Sequence, residues 1–223
     1  MPELDMKGKL IAFEGIDGSG KSTQFLRIFA WLKEQGYLTA GSLEPNDQSN
    51  PSGRLIRNML SDDVPMIENP VEFQRLYVID RAQDFFCYIR PFLQEDSERL
   101  YLMDRFCMST IAYGMLYNQS ADYFIELHKQ VIGPLFVWPH LNIVVDMPAN
   151  KAMTRVERRF KKIKKSDFFE QEQKLEKIRM NYLALAKHDL FRDNTVVING
   201  DQLESEVFED IKRVLLPILP VEN

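Results

Sequence analysis

Residues Lys9 to Glu14 (KLIAFE) form a short, nearly continuous apolar run that stops at a glycine, the pattern of a strand buried on both faces. From Lys21 to Gln35 the period changes: Phe25, Ile28, Phe29 and Leu32 recur at helical spacing, and Gly36 closes the segment. The alternation continues. Tyr37 to Leu43 predicts a second strand, Asn46 to Gly53 a polar loop, and Arg54 to Leu60 a short helix. Val71 to Phe92 reads as one long helix bounded by Pro70 and Pro91, and Leu100 to Met103 as a third strand ending at Asp104-Arg105. Helices are expected at Ser109 to Tyr117 and Asp122 to Ile132, and a fourth strand at Leu141 to Val145. A basic helix begins at Lys151 to Phe160 and an amphipathic one spans Leu175 to Ala186. Thr195 to Ile198 is the fifth strand, and Leu203 to Leu216 closes the chain as a helix.

Strands alternating with helices imply parallel βαβ units with right-handed crossovers. The expected fold is α/β, a three-layer α/β/α sandwich with a five-stranded parallel sheet. No repeat or low-complexity linker interrupts it, so residues 1–223 read as a single domain. Ligands of such sheets bind beyond the carboxyl ends of the strands. Three clusters fall there: the glycine loop after strand one, Glu44-Pro45 after strand two, and Asp104-Arg105 after strand three.

Composition narrows the partners. With 45% hydrophobic and 27% charged residues the chain has an ordinary globular profile. Its net charge of -5 argues against broad binding of nucleic acid or a membrane surface, so an anionic ligand must be caught by local positive charge. Cys87 and Cys107 lack metal-ligand spacing and read as reduced thiols. The N-terminus has no apolar signal core and no run approaches the roughly 18 apolar residues of a membrane helix, so the expected location is the cytoplasm.

The first glycine cluster carries the chemistry. Gly15-Ile16-Asp17-Gly18-Ser19-Gly20-Lys21-Ser22 matches G-x-x-x-x-G-K-[ST] in full, between a strand and a helix. The glycines let the backbone wrap the phosphates of ATP, and inward amides with the positive helix end make an anion nest that extends to Thr23. Lys21 can bridge the β- and γ-phosphates, and the Ser22 hydroxyl can ligate Mg²⁺. The guanine-reading N-K-x-D is missing, since Asn150-Lys151-Ala152-Met153 lacks its aspartate. A motor ATPase calls for a larger or repeated architecture. A small-substrate kinase remains, and it needs a second anion site in line with the γ-phosphate. Arg105 is placed to neutralise an acceptor phosphate, and Asp104 to orient Mg²⁺ or its waters.

Four stretches in series resemble the thymidylate kinase family of P-loop nucleoside monophosphate kinases. They are F-E-G-I-D-G-S-G-K-S-T-Q at Phe13 to Gln24, D-R-A-Q at Asp80 to Gln83, D-R-F-x-x-S-x-x-A-Y at Asp104 to Tyr113, and K-L-E-K-I-R-x-x-Y-L-x-L-A-K at Lys174 to Lys187. The resemblance implies the P-loop NTPase fold, a helical lid at about residues 155–172, and ATP-dependent phosphorylation of dTMP to dTDP with Mg²⁺. It implies that Asp17 holds the 3′-hydroxyl, Tyr77 stacks on thymine and Arg81 donates to a base carbonyl. Arg105 would grip the acceptor phosphate, Ser109 and Thr110 lie near the base, Tyr113 favour deoxyribose, and Glu44 and Pro45 cover the acceptor, with Arg57 on the same side. It further implies a lid cation, since Gly18 and Ser19 leave the loop without its own arginine. Arg158 or Arg159 is favoured within the cluster Arg155, Arg158, Arg159, Lys161, Lys162, Lys164 and Lys165. A homodimer is implied too, with Phe73, Leu76, Phe85, Phe86 and Ile89 serving either that contact or the core.

Three positions depart from the family pattern. R-E-P-G-G-T is here Leu43-Glu44-Pro45-Asn46-Asp47-Gln48, the glutamine after A-Y is Gly114, and the lid's D-R-x-E is Asp167-Phe168-Phe169-Glu170. Two alternatives therefore stay open: a kinase for another nucleotide or small acceptor, and a non-catalytic nucleotide-binding regulatory protein.

Overall fold

The computed structural model describes residues 6–61, 69–160 and 165–220; the side chains of residue 61 and of residues 159–170 lie outside that description. Five strands, β1 (Lys9–Glu14), β2 (Thr39–Leu43), β3 (Leu100–Asp104), β4 (Leu141–Asp146) and β5 (Thr195–Asn199), form one sheet in the order β2-β3-β1-β4-β5. Every pairing is parallel. This is the five-stranded parallel sheet expected from the alternating pattern, in the P-loop NTPase architecture that the resemblance implies.

The two faces of the sheet divide the strand residues by parity. Leu10, Ala12, Tyr101, Met103 and Val144 face one core with helices α3 (Pro70–Asp84), α5 (Cys107–Gly114), α6 (Ala121–Ile132) and α8 (Lys165–Leu185). Ile11, Phe13, Leu102, Ile143 and Val145 face the other, with α1 (Lys21–Glu34) and α9 (Glu204–Leu215). Burial on both faces is why these strands are continuous apolar runs. Between β1 and its neighbours β3 and β4 the crossovers leave in opposite directions, which opens a crevice at the carboxyl ends.

The long helix departs from its expected form. It starts at Pro70, where Asn69 caps it by accepting from the Glu72 amide at 3.2 Å. It runs as α3 to Asp84, widens into a π-helical turn at Phe85–Ile89, and continues as α4 (Arg90–Glu95). The cause is Pro91: it has no N–H for an α-helical bond and its ring crowds the carbonyl four residues back. The chain absorbs this in the turn, where the Arg90 amide bonds to the Phe85 carbonyl five residues away. Phe73, Phe85 and Ile89 belong to the core, whereas Phe86 is exposed, which corrects their treatment as one apolar set. α2 begins earlier than expected, at Pro51, and runs to Ser61; α7 spans Ala149–Phe160. Lys161, Lys162 and Lys164 of the basic cluster lie outside the described residues.

Gly114 has a packing reason. A Cβ there would sit 2.1 Å from the Phe124 ring, so the close approach of α6 to the end of α5 requires glycine. Both cysteines are free; Cys107 is buried and Cys87 exposed.

Candidate active site

β1 delivers the chain into a loop whose glycines are all in the left-handed half of conformational space, with φ of 138° at Gly15, 80° at Gly18 and 98° at Gly20. A Cβ on Gly18 would lie 2.3 Å from the Ala152 carbonyl, so only glycine lets α7 press on the loop. Lys21 opens α1 directly behind Gly20. Gly15 and Ile16 do not line the cleft: Ile16 is in the core and Gly15 offers its carbonyl to Arg105.

A cleft of about 830 Å³ runs from this loop across the carboxyl ends of the strands. Asp17 through Gln24 line one end. Glu44, Pro45, Arg57, Tyr77 and Tyr113 line the other, with Arg105, Ser109 and Thr110 along its side. Residues from distant parts of the sequence therefore meet in one cleft.

Arg105 is the centre of the arrangement. Its backbone is left-handed, φ 70°, unusual for a non-glycine residue, and its amide is tied to the Phe13 carbonyl at 2.9 Å. The guanidinium donates to the Gly15 carbonyl at 3.0 Å, Ser109 Oγ at 3.1 Å, the Tyr182 hydroxyl at 3.3 Å and Asp17 Oδ1 at 2.5 Å. Asp17 also accepts from the Tyr113 hydroxyl at 3.0 Å and lies 3.9 Å from Lys21 Nζ. The Asp17 side chain is exposed to the cleft; partial desolvation works to raise its carboxyl, but Arg105 and Lys21 overcome it and hold the group well below the usual carboxylate range. Lys21 is pushed down to about 8, by burial first and by Arg105 second.

Beneath them lies Glu14, fully buried, which accepts from the Phe106 amide at 3.0 Å and Ser109 Oγ at 2.5 Å. Burial raises its carboxyl. Because the Ser109 proton goes to Glu14, the Tyr182 hydroxyl, 2.7 Å from Ser109 Oγ, is the donor of that pair.

Arg81 is placed differently from the expectation. It is fully buried behind the cleft wall and does not line it. Its guanidinium forms a two-pronged pair with Glu44, donates to Thr110 Oγ1 at 3.0 Å and reaches His128 Nε2 at 2.5 Å. Burial and Arg81 push His128 down to about 3, so the ring is neutral. Nε2 then accepts from Arg81, and Nδ1 donates to the Phe124 carbonyl at 2.6 Å. Glu44 follows β2 through a cis peptide to Pro45.

On the lid side, Arg155 is the residue the structure brings to the phosphate loop, donating to the carbonyls of Gly18 at 3.4 Å and Ser19 at 3.3 Å. Arg158 is exposed and away from the cleft, and the Arg159 side chain lies outside the described residues. For a divalent metal the fit is good. Asp104 Oδ1 and Ser19 Oγ are buried and make no hydrogen bond among the described residues. Asp104 and the Ser22 hydroxyl each offer the hard oxygen donor that Mg²⁺ takes.

The sequence reading assigned nothing to Glu14, His128 or Tyr182, and named Arg155 only as one of the basic cluster, favouring Arg158 or Arg159. Glu14 was visible as a charge ending an apolar strand, and His128 as a polar residue midway between Phe124 and Ile132 at core spacing. Tyr182 and Arg155 stood inside segments already singled out, but nothing in their spacing marked them.

The thymidylate kinase family model matches residues 13–211. A thymidylate kinase from Thermosipho africanus is 35% identical over 208 residues, covering 92% of this chain and 96% of that protein. One from Halothermothrix orenii is 32% identical, covering 92% and 95%. A probable thymidylate kinase from Pyrococcus abyssi is 30% identical with the same coverage.

Proposed function

The chain belongs to the thymidylate kinase family, and from that premise we propose that it transfers the γ-phosphoryl group of ATP to dTMP, giving dTDP and ADP. The observation that carries the reading is one cleft with a phosphate loop at one end, Tyr77 and Tyr113 at the other and Arg105 between them. Lys21 and Arg105 flank one carboxylate, Asp17, so two cationic groups stand close enough to serve a donor and an acceptor phosphate in line.

On this reading Asp17 is the counter-ion of both cations until phosphates arrive, and is then free to hold the sugar hydroxyl. Tyr77 packs edge-on against Phe73, ring centroids 5.5 Å apart, and offers a face for the base. Tyr113 crowds the sugar from the Asp17 side. Arg81 acts at one remove, by holding Glu44 and Thr110 in the wall. Arg155 over the loop supplies the lid cation, which adds charge stabilisation and closes off water. Mg²⁺, held by Ser22 and Asp104, would supply neutralisation of phosphate charge. The reading extends to a cytoplasmic homodimer with a lid at about residues 155–172; two free thiols suit a reducing compartment. Among the described residues no helix is long and apolar enough to cross a membrane.

A coupled ADP-release assay across dTMP, dUMP, dCMP and dGMP tests the claim. dTMP is expected to give the highest kcat/KM. ATP binding without turnover on any nucleotide would overturn it.

A further inference from the structure

The loop after β2, where family glycines are replaced by Asn46 and Asp47, is gripped from behind. The Asn46 amide donates to Asp80 Oδ2 at 2.9 Å, and its side-chain nitrogen to Asp84 Oδ1 at 2.7 Å. Asn50 Nδ2 donates to Asp84 Oδ1 at 2.7 Å and Asp80 Oδ1 at 3.0 Å. The Ser52 hydroxyl adds a bond to Asp80 Oδ1 at 3.0 Å. The spacings match. Asp80 and Asp84 are one turn apart on a face of α3, and Asn46 and Asn50 are one turn apart in the loop, joined by the Asn50 amide to the Asn46 carbonyl at 3.0 Å. Gly53 completes the fit, since a Cβ there would lie 2.2 Å from the Asn46 carbonyl oxygen. All four clasping side chains are buried, so their polar atoms depend on one another.

The same turn of α3 carries Arg81, which holds Glu44, while Tyr77 one turn earlier and Phe73 and Gln74 two turns earlier line the cleft. A single helix thus sets the distance between the stacking residue Tyr77 and the Glu44-Pro45 wall. We infer that Asn46 and Asn50 are positioning residues for the acceptor nucleotide, fixing the loop wall opposite Tyr77 in place of the glycine turn that this chain lacks. The inference rests on the nucleoside monophosphate kinase reading and concerns its acceptor side alone; the phosphate loop is held by other contacts.

The test uses Asn46→Ala, Asn50→Ala and the double variant of the full chain. The expected result for the double variant is a KM for dTMP about tenfold higher with the KM for ATP unchanged, because a loosened wall misplaces only the acceptor. Amide hydrogen exchange is expected to quicken at residues 44–53 and to stay as in the wild type at the phosphate loop. An unchanged dTMP KM, or equal rises for both substrates, overturns the inference, as does unchanged exchange in the loop. If the double variant does not fold, the single variants, each keeping half of the clasp, decide by the same readings. Failure of the wild type to phosphorylate dTMP overturns the functional reading alone: exchange at residues 44–53 still decides the clasp, and the KM comparison passes to whichever nucleotide the panel accepts.

Discussion

Lys21 must carry a full charge at the bottom of a cleft that penalises it. Burial and the neighbouring Arg105 guanidinium push it down to about 8, with Asp17, Asp104 and Glu14 pulling the other way. The protonated form is the one that binds phosphate, so the sign is set: affinity for ATP is present below about pH 8 and is lost as pH rises through that value, well before the ordinary lysine range of about 10.4. In a kcat/KM profile for ATP between about pH 6 and about pH 10 the fall is expected to centre near 8. Once ATP is bound its phosphate charges favour the ammonium, so kcat at saturating ATP should hold to higher pH. A kcat/KM profile flat through 8 would remove this account of Lys21. Lys21→Ala should abolish nearly all turnover at every pH with the fold intact by circular dichroism, because the side chain closes the charge set and packs little apolar surface.

Helix α8 reaches the reacting end of the cleft through one hydroxyl. Arg179 anchors the helix to Asp146 at the end of β4, with bonds of 2.6 and 2.9 Å, and Asn181 ties it to the Ala112 carbonyl at 2.8 Å. Next to the second of these fixed points, Tyr182 donates to Ser109 and accepts from Arg105. Tyr182→Phe keeps the ring and removes only the hydroxyl, leaving Arg105 and Ser109 each a partner short, at a cost of about 1 kcal/mol. The acceptor KM should rise about fivefold with the ATP KM unchanged and the thermal midpoint within a few degrees. Equal losses for both substrates would instead mark Tyr182 as general packing. This contact also shows what the sequence could convey. The phosphate loop is eight consecutive residues whose spacing states its own geometry, so it was legible at once, as were the apolar runs of β1, β3 and β4. The Tyr182 and Arg155 contacts join elements far apart in the chain, and no local period encodes them. The asparagine clasp was hidden for the same reason. In the sequence Asn46 and Asn50 are polar loop residues, and only the placement of α3 gives them buried partners. Arg81 was singled out for the base, yet its partner Glu44 lies in another motif, and the pairing sets the side chain behind the cleft wall rather than in it.

At the scale of the molecule, the sheet order sets β2, β3 and β1 side by side, so the crevice forms where three motif-bearing strand ends converge. The helices on the α3 side then have an inner and an outer face. Phe85 and Ile89 are fully buried, while Ile79, Phe86 and Tyr88 on the same continuous helix are about two-fifths exposed. The π-helical turn contributes to this by changing the rotation per residue, which swings Phe86 and Tyr88 outward after Phe85 has entered the core. An outer apolar face of that kind on a rigid helix fits the proposed homodimer, in which the same patch meets itself across a two-fold axis. Phe86→Glu tests it. A charge at the centre of a self-complementary patch is duplicated by symmetry, so like charges face each other in a desolvated contact. Sedimentation of the wild-type protein should give twice the 26.1 kDa chain mass, and the variant should sediment as a monomer. Phe86 points away from the cleft-lining side chains of α3, so circular dichroism of the variant should be unchanged. A wild type that sediments as a monomer would remove the dimer from the account, and a variant that stays dimeric would move the contact to another face.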